Sequence, residues 1–155
     1  MNKIVLLAVA VIAAAMMAGT ALAQPPVGAG AGKAPMYDAL DNPTSGYTCP
    51  GGADVDDLEA LGTFGFAVIN TNGNGDLIVQ VSLKGAVPST YDVYVHQNVG
   101  GSCSPTLVGQ LTTNGKGNGN AHAELERTAN ATDFWVSLVD TGTDERYRTT
   151  SVQLD

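Results

Sequence analysis

After Gly62, apolar and polar residues alternate with a period of two along most of the chain. Successive side chains of a strand point to opposite faces, so this alternation predicts strands with one buried face. Gly, Asn, Pro, Asp and Thr separate the runs, as expected for tight turns. The seven predicted strands cover residues 64–68, 77–83, 91–95, 107–111, 121–125, 134–138 and 146–154.

Seven short strands in one small domain predict an all-β fold, specifically a seven-stranded antiparallel immunoglobulin-like sandwich. In that topology the third, sixth and seventh strands share one sheet, and the first, second and fifth share the other. A small barrel or a jelly-roll-like pair of sheets is the alternative. The sequence assigns this domain to residues 62–155.

The first 23 residues have the pattern of a secretory signal peptide. Lys3 precedes an uncharged apolar run, and Ala21-Leu22-Ala23 provides a small-residue cleavage site. A membrane-anchoring helix is the alternative, since the run is just long enough to span a bilayer. The proline-rich sequence that follows favours cleavage after Ala23 and a secreted or cell-surface protein. No later run is long enough to predict a transmembrane segment.

Two segments without alternation precede the predicted sandwich. Residues 24–35, QPPVGAGAGKAP, are rich in Pro, Gly and Ala and predict a flexible leader. Residues 36–61 contain turn signals and predict an irregular segment. Cys49 and Cys103 are the only cysteines, and in an exported chain such a pair predicts one disulfide. The bridge would tie the irregular segment to the sandwich.

The mature chain is strongly acidic. The full sequence has a formal net charge of −8, and removal of Lys3 with the signal leaves six basic and fifteen acidic residues, or −9. Such a chain repels phosphate backbones, so we expect no nucleic-acid partner.

The signature Thr-Asn-Gly-x-Gly occurs twice, at Thr71 and at Thr113. Calcium loops need several oxygen ligands, mainly carboxylates. The first copy offers one carboxylate, Asp76, and the second offers none and carries Lys116. Asn-Gly is the strongest short hairpin signal, so both copies predict turns. The matching alternation downstream, at offsets of 42 and 43, predicts two related halves of one domain.

A stronger calcium candidate is an acidic cluster in the irregular segment, although a solvated helix start, with acidic residues near its N-terminus, is the favoured interpretation. We therefore expect no cofactor, with calcium as the alternative. Asn130-Ala131-Thr132 fits the N-glycosylation pattern. The acidic cluster consists of Asp54, Asp56, Asp57 and Glu59.

One strand resembles a family in which histidines bind copper. The stretch VPSTYDVYVHQ is similar to a strand of superoxide-dismutase-like sandwiches, but Tyr94 stands where the first histidine of the His-x-His pair is expected. The departure removes the copper site, and only the sandwich carries over. His96 and His122 are then expected to be surface residues.

The predicted topology brings aromatic and basic side chains to one sheet face. If the strands holding Tyr94 and Trp135 are neighbours, these rings share an outward face with His96, Arg146 and Arg148. Exposed aromatics beside polar groups suit a glycan or a protein partner. The alternative is that the N-terminal segment covers this face.

The export signal, the short strands and the polar turns together resemble secreted immunoglobulin-like domains of cell surfaces. We expect a non-catalytic module, either structural, in a surface layer or filament, or adhesive, that associates with itself, with another surface protein or with a glycan. A carbohydrate-binding module using the aromatic face is the first alternative, and a small metal-binding protein is the second. Catalytic motifs such as G-x-S-x-G, H-E-x-x-H and the P-loop are absent from the sequence.

Overall fold

The computed structural model describes residues 31–39, 62–143 and 145–154. These residues form nine strands. They are β1 (Ala31–Asp38), β2 (Thr63–Thr71), β3 (Leu77–Leu83), β4 (Thr90–Val99), β5 (Ser102–Thr112), β6 (Gly119–Leu125), β7 (Asp133–Asp140), β8 (Arg146–Thr149) and β9 (Val152–Gln153).

All nine strands belong to one antiparallel sheet that is nearly closed into a barrel. Its order is β5-β4-β7-β8-β1-β2-β3-β6, and β9 pairs with β7 outside this path. The interior holds alternate residues of every long strand, among them Ile69, Val79, Val95 and Val136, all of which are fully buried. The all-β prediction is confirmed.

The predicted division into two immunoglobulin-like sheets is not confirmed, because hydrogen-bonded neighbours connect the described strands into one sheet. The predicted groups are nevertheless neighbours: β4, β7 and β8 are adjacent, and so are β2, β3 and β6. The unpredicted strand β1 lies between β8 and β2 and joins the two groups.

Strand β1 corrects the predicted leader and irregular segment, because it takes the end of one and the beginning of the other. The sequence AGKAPMYD shows little alternation of apolar and polar residues. Ala34 and Met36 face the interior and are fully buried, but Ala34 is small and Met36 stands alone. Gly32 is required by packing, since a Cβ there would lie 1.9 Å from a methyl of Val152. The rest of the predicted leader, residues 24–30, and the rest of the predicted irregular segment, residues 40–61, lie outside the described residues.

The internal repeat is visible in the pairing of two pairs of strands. An offset of 42 relates β3 to β6, and Gln80 is paired with its own counterpart, His122. An offset of 43 relates β4 to β7, and Tyr94 is paired with its counterpart, Ser137. In an antiparallel pair, a residue that faces its own counterpart marks a local two-fold axis of that pair.

The first half departs from the expected alternation at the start of β2. The register with β1 shifts between Pro35 and Tyr37, where β2 holds one extra residue. Gly65 has a φ of 123°, and a Cβ there would lie 1.9 Å from the Ser82 carbonyl oxygen. As a result Ala67 faces the interior, and Phe66 faces outward and is half-buried.

Within the described ranges, no helix has the length and apolar character needed to cross a membrane.

Candidate functional site

The predicted aromatic face exists as a contiguous group, but its centre is buried. β4 and β7 are neighbours as predicted, and His96 lies directly opposite Trp135. Their rings stack with centroids 4.8 Å apart and planes 7° from parallel. His96 is 0% exposed and Trp135 is 1% exposed, so the expectation of an open face, and of a surface histidine at 96, is wrong.

The two arginines predicted for this face have different environments. Arg148 is buried, lies opposite Ser137, and places its guanidinium 5.7 Å from the centroid of the Trp135 ring. Arg146 is exposed, and Tyr94 is half-buried. A covered face agrees with the alternative stated above, although the segment expected to cover it, residues 40–61, lies outside the described residues.

The electrostatics of this buried group favour a neutral imidazole. His96 Nε2 and Ser137 Oγ are 2.7 Å apart and share a hydrogen bond. Burial, and secondarily the positive charge of Arg148, lower the pKa of His96 to about 4. Burial also lowers the pKa of Arg148. A protonated histidine would therefore be disfavoured here at neutral pH.

The twice-used signature forms the same turn in both places, as predicted. The Asn72 side-chain oxygen accepts hydrogen bonds from the backbone N–H groups of Asn74 and Asp76, at 2.9 and 3.0 Å. The Asn114 oxygen does the same for Lys116 and Asn118, at 2.9 and 3.1 Å. In each copy the side-chain oxygen of one asparagine is therefore used to hold the backbone of the turn.

The other predicted site residues are scattered. The acidic cluster at residues 54–59 lies outside the described residues, and the part that is described holds no group of three metal-ligating side chains. His122 is exposed on β6, on a different wall from His96. Asn130 is exposed in the loop before β7, with a positive φ of 65°.

Cys103 lies inside β5, opposite Asn98, whereas the predicted strands 91–95 and 107–111 leave it in the connection between them. None of the described cysteines is free. The predicted partner of Cys103 is Cys49, which lies outside the described residues, so the Cys49–Cys103 bridge stays a prediction.

A feature that the sequence analysis missed is the seam at which the barrel fails to close. β5 and β6 are the two ends of the described sheet and are connected by the second turn. They touch beside this turn, where a Cβ on Gly119 would lie 2.6 Å from a Leu111 methyl. Farther from the turn a cleft of about 240 Å³ opens between them. Its walls are Val108, Gly109 and Gln110 of β5 and residues 120–123 of β6, and its floor is Val79, Val81 and Val93.

Comparison of the two halves explains why the second one stays open. The same turn connects β2 and β3, which are paired along their whole length from Thr71–Leu77 to Gly65–Leu83. At an offset of 42, Val79 and Val81 of β3 become Ala121 and Ala123 of β6, and Ala67 of β2 becomes Gly109 of β5. Smaller residues at all three inward positions leave interior space unfilled, and that space is the cleft.

Beside the cleft a bulge in β5 turns a large apolar side chain outward. Val93 pairs with Gly109 and Tyr94 pairs with Leu107, so Val108 is the extra residue. Val108 packs against the interior, and Leu107 faces solvent with 55% of its surface exposed. The alternation of Leu107, Gly109 and Leu111 had predicted one inward face, and the bulge is the reason it does not hold.

Strand β5 itself carries no formal charge, although Asp92 of β4 accepts a hydrogen bond from Gln110 beside the cleft. The chain has no Asp, Glu, Lys or Arg from Val93 to Gly115, although its net charge is −8. Natural edge strands are commonly protected by charged side chains, bulges or prolines. β5 has a bulge and Pro105 but no charge, so part of its edge is unprotected.

No protein-family model matches the chain, and a search of curated proteins found no match.

Proposed function

We propose that the protein is an exported, non-catalytic module of the cell surface, with a structural or adhesive role. The observation that carries the proposal is the seam between β5 and β6, because an incompletely closed sheet with an uncharged edge is a surface suited to another protein. The signal peptide predicted from residues 1–23 supports an extracellular location. The acidic composition supports a solvated surface elsewhere on the domain.

Fractionation of native cells tests this proposal. The mature protein should begin at Gln24 and should be found in the medium or in the cell-surface fraction, accessible to protease added to intact cells. A variant with Leu7→Arg and Val11→Arg, which interrupts the apolar run, should remain inside the cell. An uncleaved wild-type protein confined to the cytoplasm would refute the proposal.

Glycan binding remains a second candidate, on a different face from the one predicted. The outward side of β2, β3 and β6 carries a shallow hollow of about 450 Å³. The half-buried Phe66 ring lies beside the polar side chains of Gln80, Asn120 and His122, a combination that suits stacking and hydrogen bonding to a sugar. Lys33 Nζ lies 3.9 Å from the centroid of the Phe66 ring.

Calorimetry with soluble polysaccharides separates this candidate from the first. Binding that is lost in Phe66→Ala and kept in Phe64→Ala, whose ring packs beside Tyr147 instead, would support a glycan site. Heats at the level of dilution for every polysaccharide would eliminate it.

We also infer that Cys49 and Cys103 form the disulfide expected of an exported chain. Peptide mapping without reduction should recover the two cysteines in one linked species. Their joint replacement by Ser should lower the free energy of unfolding by about 2–5 kcal/mol. Two free thiols in protein taken from its native compartment would rule the bridge out.

A further inference from the structure

We propose that the seam cleft and the outward hollow on β2, β3 and β6 form one groove, which binds a neutral oligosaccharide across the edge of β6. The inference rests on the proposed surface module and deepens its glycan candidate, because it names the charge and the least length of the ligand. It depends on the continuity of the two depressions, on the polar side chains available in them and on the acidic residues beside them.

The two depressions meet at strand β6. Asn120, Ala121 and His122 line both the cleft and the hollow, so the two share a wall. Phe66 lies opposite Ser82, and Ser82 lies opposite Asn120, which places the three residues in one row across three strands. Neighbouring strands are about 4.8 Å apart, so this row spans roughly 10 Å before the cleft extends it. Only a ligand longer than one sugar ring can occupy the groove from Phe66 to the cleft.

The polar side chains of the groove are available to a ligand. Gln80 of β3 lies opposite His122 of β6, and both side chains are exposed, as is that of Asn120. None of these three side chains takes part in a hydrogen bond of the described structure. At the far wall of the cleft, Gln110 Nε2 donates a hydrogen bond of 2.9 Å to Asp92 Oδ1, which fixes the orientation of the amide. Amide and imidazole groups supply donors and acceptors, and sugar hydroxyls need both.

Apolar surface lies at the two ends of this polar row. The half-buried Phe66 ring lines the hollow at one end, and core valines form the floor of the cleft at the other. Lys33 Nζ lies over one face of the Phe66 ring, 3.9 Å from its centroid, so the hollow contacts the rest of the ring. A carbohydrate combines hydroxyl groups with C–H surfaces and suits such a mixed lining. An extended peptide would pair with the edge of β6 that faces the seam and would not use the outward side chains of Gln80 and Asn120.

The charges around the groove select against acidic glycans. Among the described residues, no charged side chain lines the cleft or the hollow. Asp92 nevertheless adjoins Gln110, and Glu124 is exposed farther along β6. The whole chain has a formal net charge of −8. Uronic acids and sulfated sugars would be repelled by this field, whereas a neutral sugar meets no such repulsion.

Calorimetry with the mature chain, residues 24–155, tests the proposal. The probes are malto-, cello-, manno- and galacto-oligosaccharides, each from the single sugar to the hexasaccharide, and oligogalacturonides as the acidic series. In at least one neutral series the affinity should rise about tenfold or more with length, as the ligand reaches the second depression. The acidic series should bind more weakly than that neutral series at every length.

Gln110→Ala tests the far wall of the groove. It should lower the affinity for the neutral hexasaccharide by about 2–10-fold, the effect of one hydrogen bond, and leave the affinity for the single sugar unchanged. Gln153→Ala is the matched control. Gln153 is exposed on β9 and also donates to an aspartate, Asp133, but it lies outside the groove. This variant should bind like the wild type.

A second variant fills the cleft and leaves the polar row in place. Ala121→Val with Ala123→Val should reduce the affinity for the hexasaccharide to that for the shorter sugars, with circular dichroism confirming the fold. In NMR spectra of the wild type, the hexasaccharide should shift the side-chain amide signals of Gln80, Gln110 and Asn120 and should leave those of Gln153 unchanged.

The possible failures are distinguishable. Affinity that does not depend on length, or that falls equally in Gln110→Ala and Gln153→Ala, would overturn the proposal and leave a glycan site at the hollow alone. Tighter binding of the acidic series, or of a threonine hexapeptide, would also overturn it. Absence of binding in every neutral series would remove the glycan candidate as well. A protein that binds no glycan but is found at the cell surface would leave the proposed function standing.

Discussion

Replacing Ala121 and Ala123 by valine should stabilise the domain, whereas the reverse change in the first half should destabilise it. Val79 and Val81 are 0% and 3% exposed, and their counterparts Ala121 and Ala123 are half-buried beside the cleft. The two pairs of substitutions therefore test the same valine and alanine side chains at two related positions, one in the filled interior and one beside the unfilled cleft.

The magnitudes follow from the burial of methyl groups. Each Ala→Val change adds the equivalent of two CH₂ groups, worth about 1.6 kcal/mol if fully buried. Since the cleft is open to solvent, we expect roughly half of that at each site, or about 1.5 kcal/mol for Ala121→Val with Ala123→Val together. Val79→Ala with Val81→Ala loses full burial and leaves a cavity, and should cost about 4 kcal/mol.

Urea unfolding at concentrations where the wild type is monomeric gives both numbers, because the midpoint shifts while the slope stays constant. Valine also favours strands, so Glu124→Val, at an exposed position on β6 that does not line the cleft, measures that contribution alone. The account of the seam would be wrong if Ala121→Val with Ala123→Val destabilised the protein, since the cleft would then lack room for the added methyl groups.

Two further predictions concern the turns and the buried histidine. Asn72→Ala and Asn114→Ala each remove a side chain that accepts two backbone hydrogen bonds, so each should lower the free energy of unfolding in urea by about 1–2 kcal/mol. The loss should be the same with calcium and with a chelator. A loss that disappears on chelation would restore the calcium interpretation. His96 has a folded-state pKa of about 4, below its ordinary value of 6.5, so its contribution to stability is complete above pH 6.5 and is lost as the pH falls towards 4. Over that range the wild type should lose about 3 kcal/mol more than His96→Gln; identical pH profiles, or an NMR midpoint near 6.5, would contradict the burial of His96.

Much of the fold could be predicted from alternation alone. Strands β3, β4 and β7 have large apolar residues on one face, so their existence followed from the pattern. The adjacency of β4 and β7 was expected only from the assumed immunoglobulin-like topology. β1 could not be found in this way, because its buried positions hold Ala34 and Met36 among Gly, Ala and Pro. A period of two carries little signal when the inward residues are as small as the outward ones.

The candidate sites were harder to predict because alternation gives the side of a sheet but not what covers that side. Trp135 and His96 are on the outward face, as expected, and are buried nonetheless. Alternation predicts that Leu107 faces inward, but one extra residue in β5 turns it outward. One sequence feature does indicate the seam: the second copy of the repeat has Ala121 and Ala123 where the first copy has valines.

One hairpin is used twice in this fold, closed between β2 and β3 and open between β5 and β6. Amide hydrogen exchange, measured residue by residue by NMR on the monomer, tests it most directly. The amides of β2 and β3 should be protected along both edges of each strand. In β5 and β6 only the amides that face β4 and β3 should be protected, and those that face the seam should exchange orders of magnitude faster. Equal protection on both edges of β5 and β6 would show that the barrel is closed and would contradict the account.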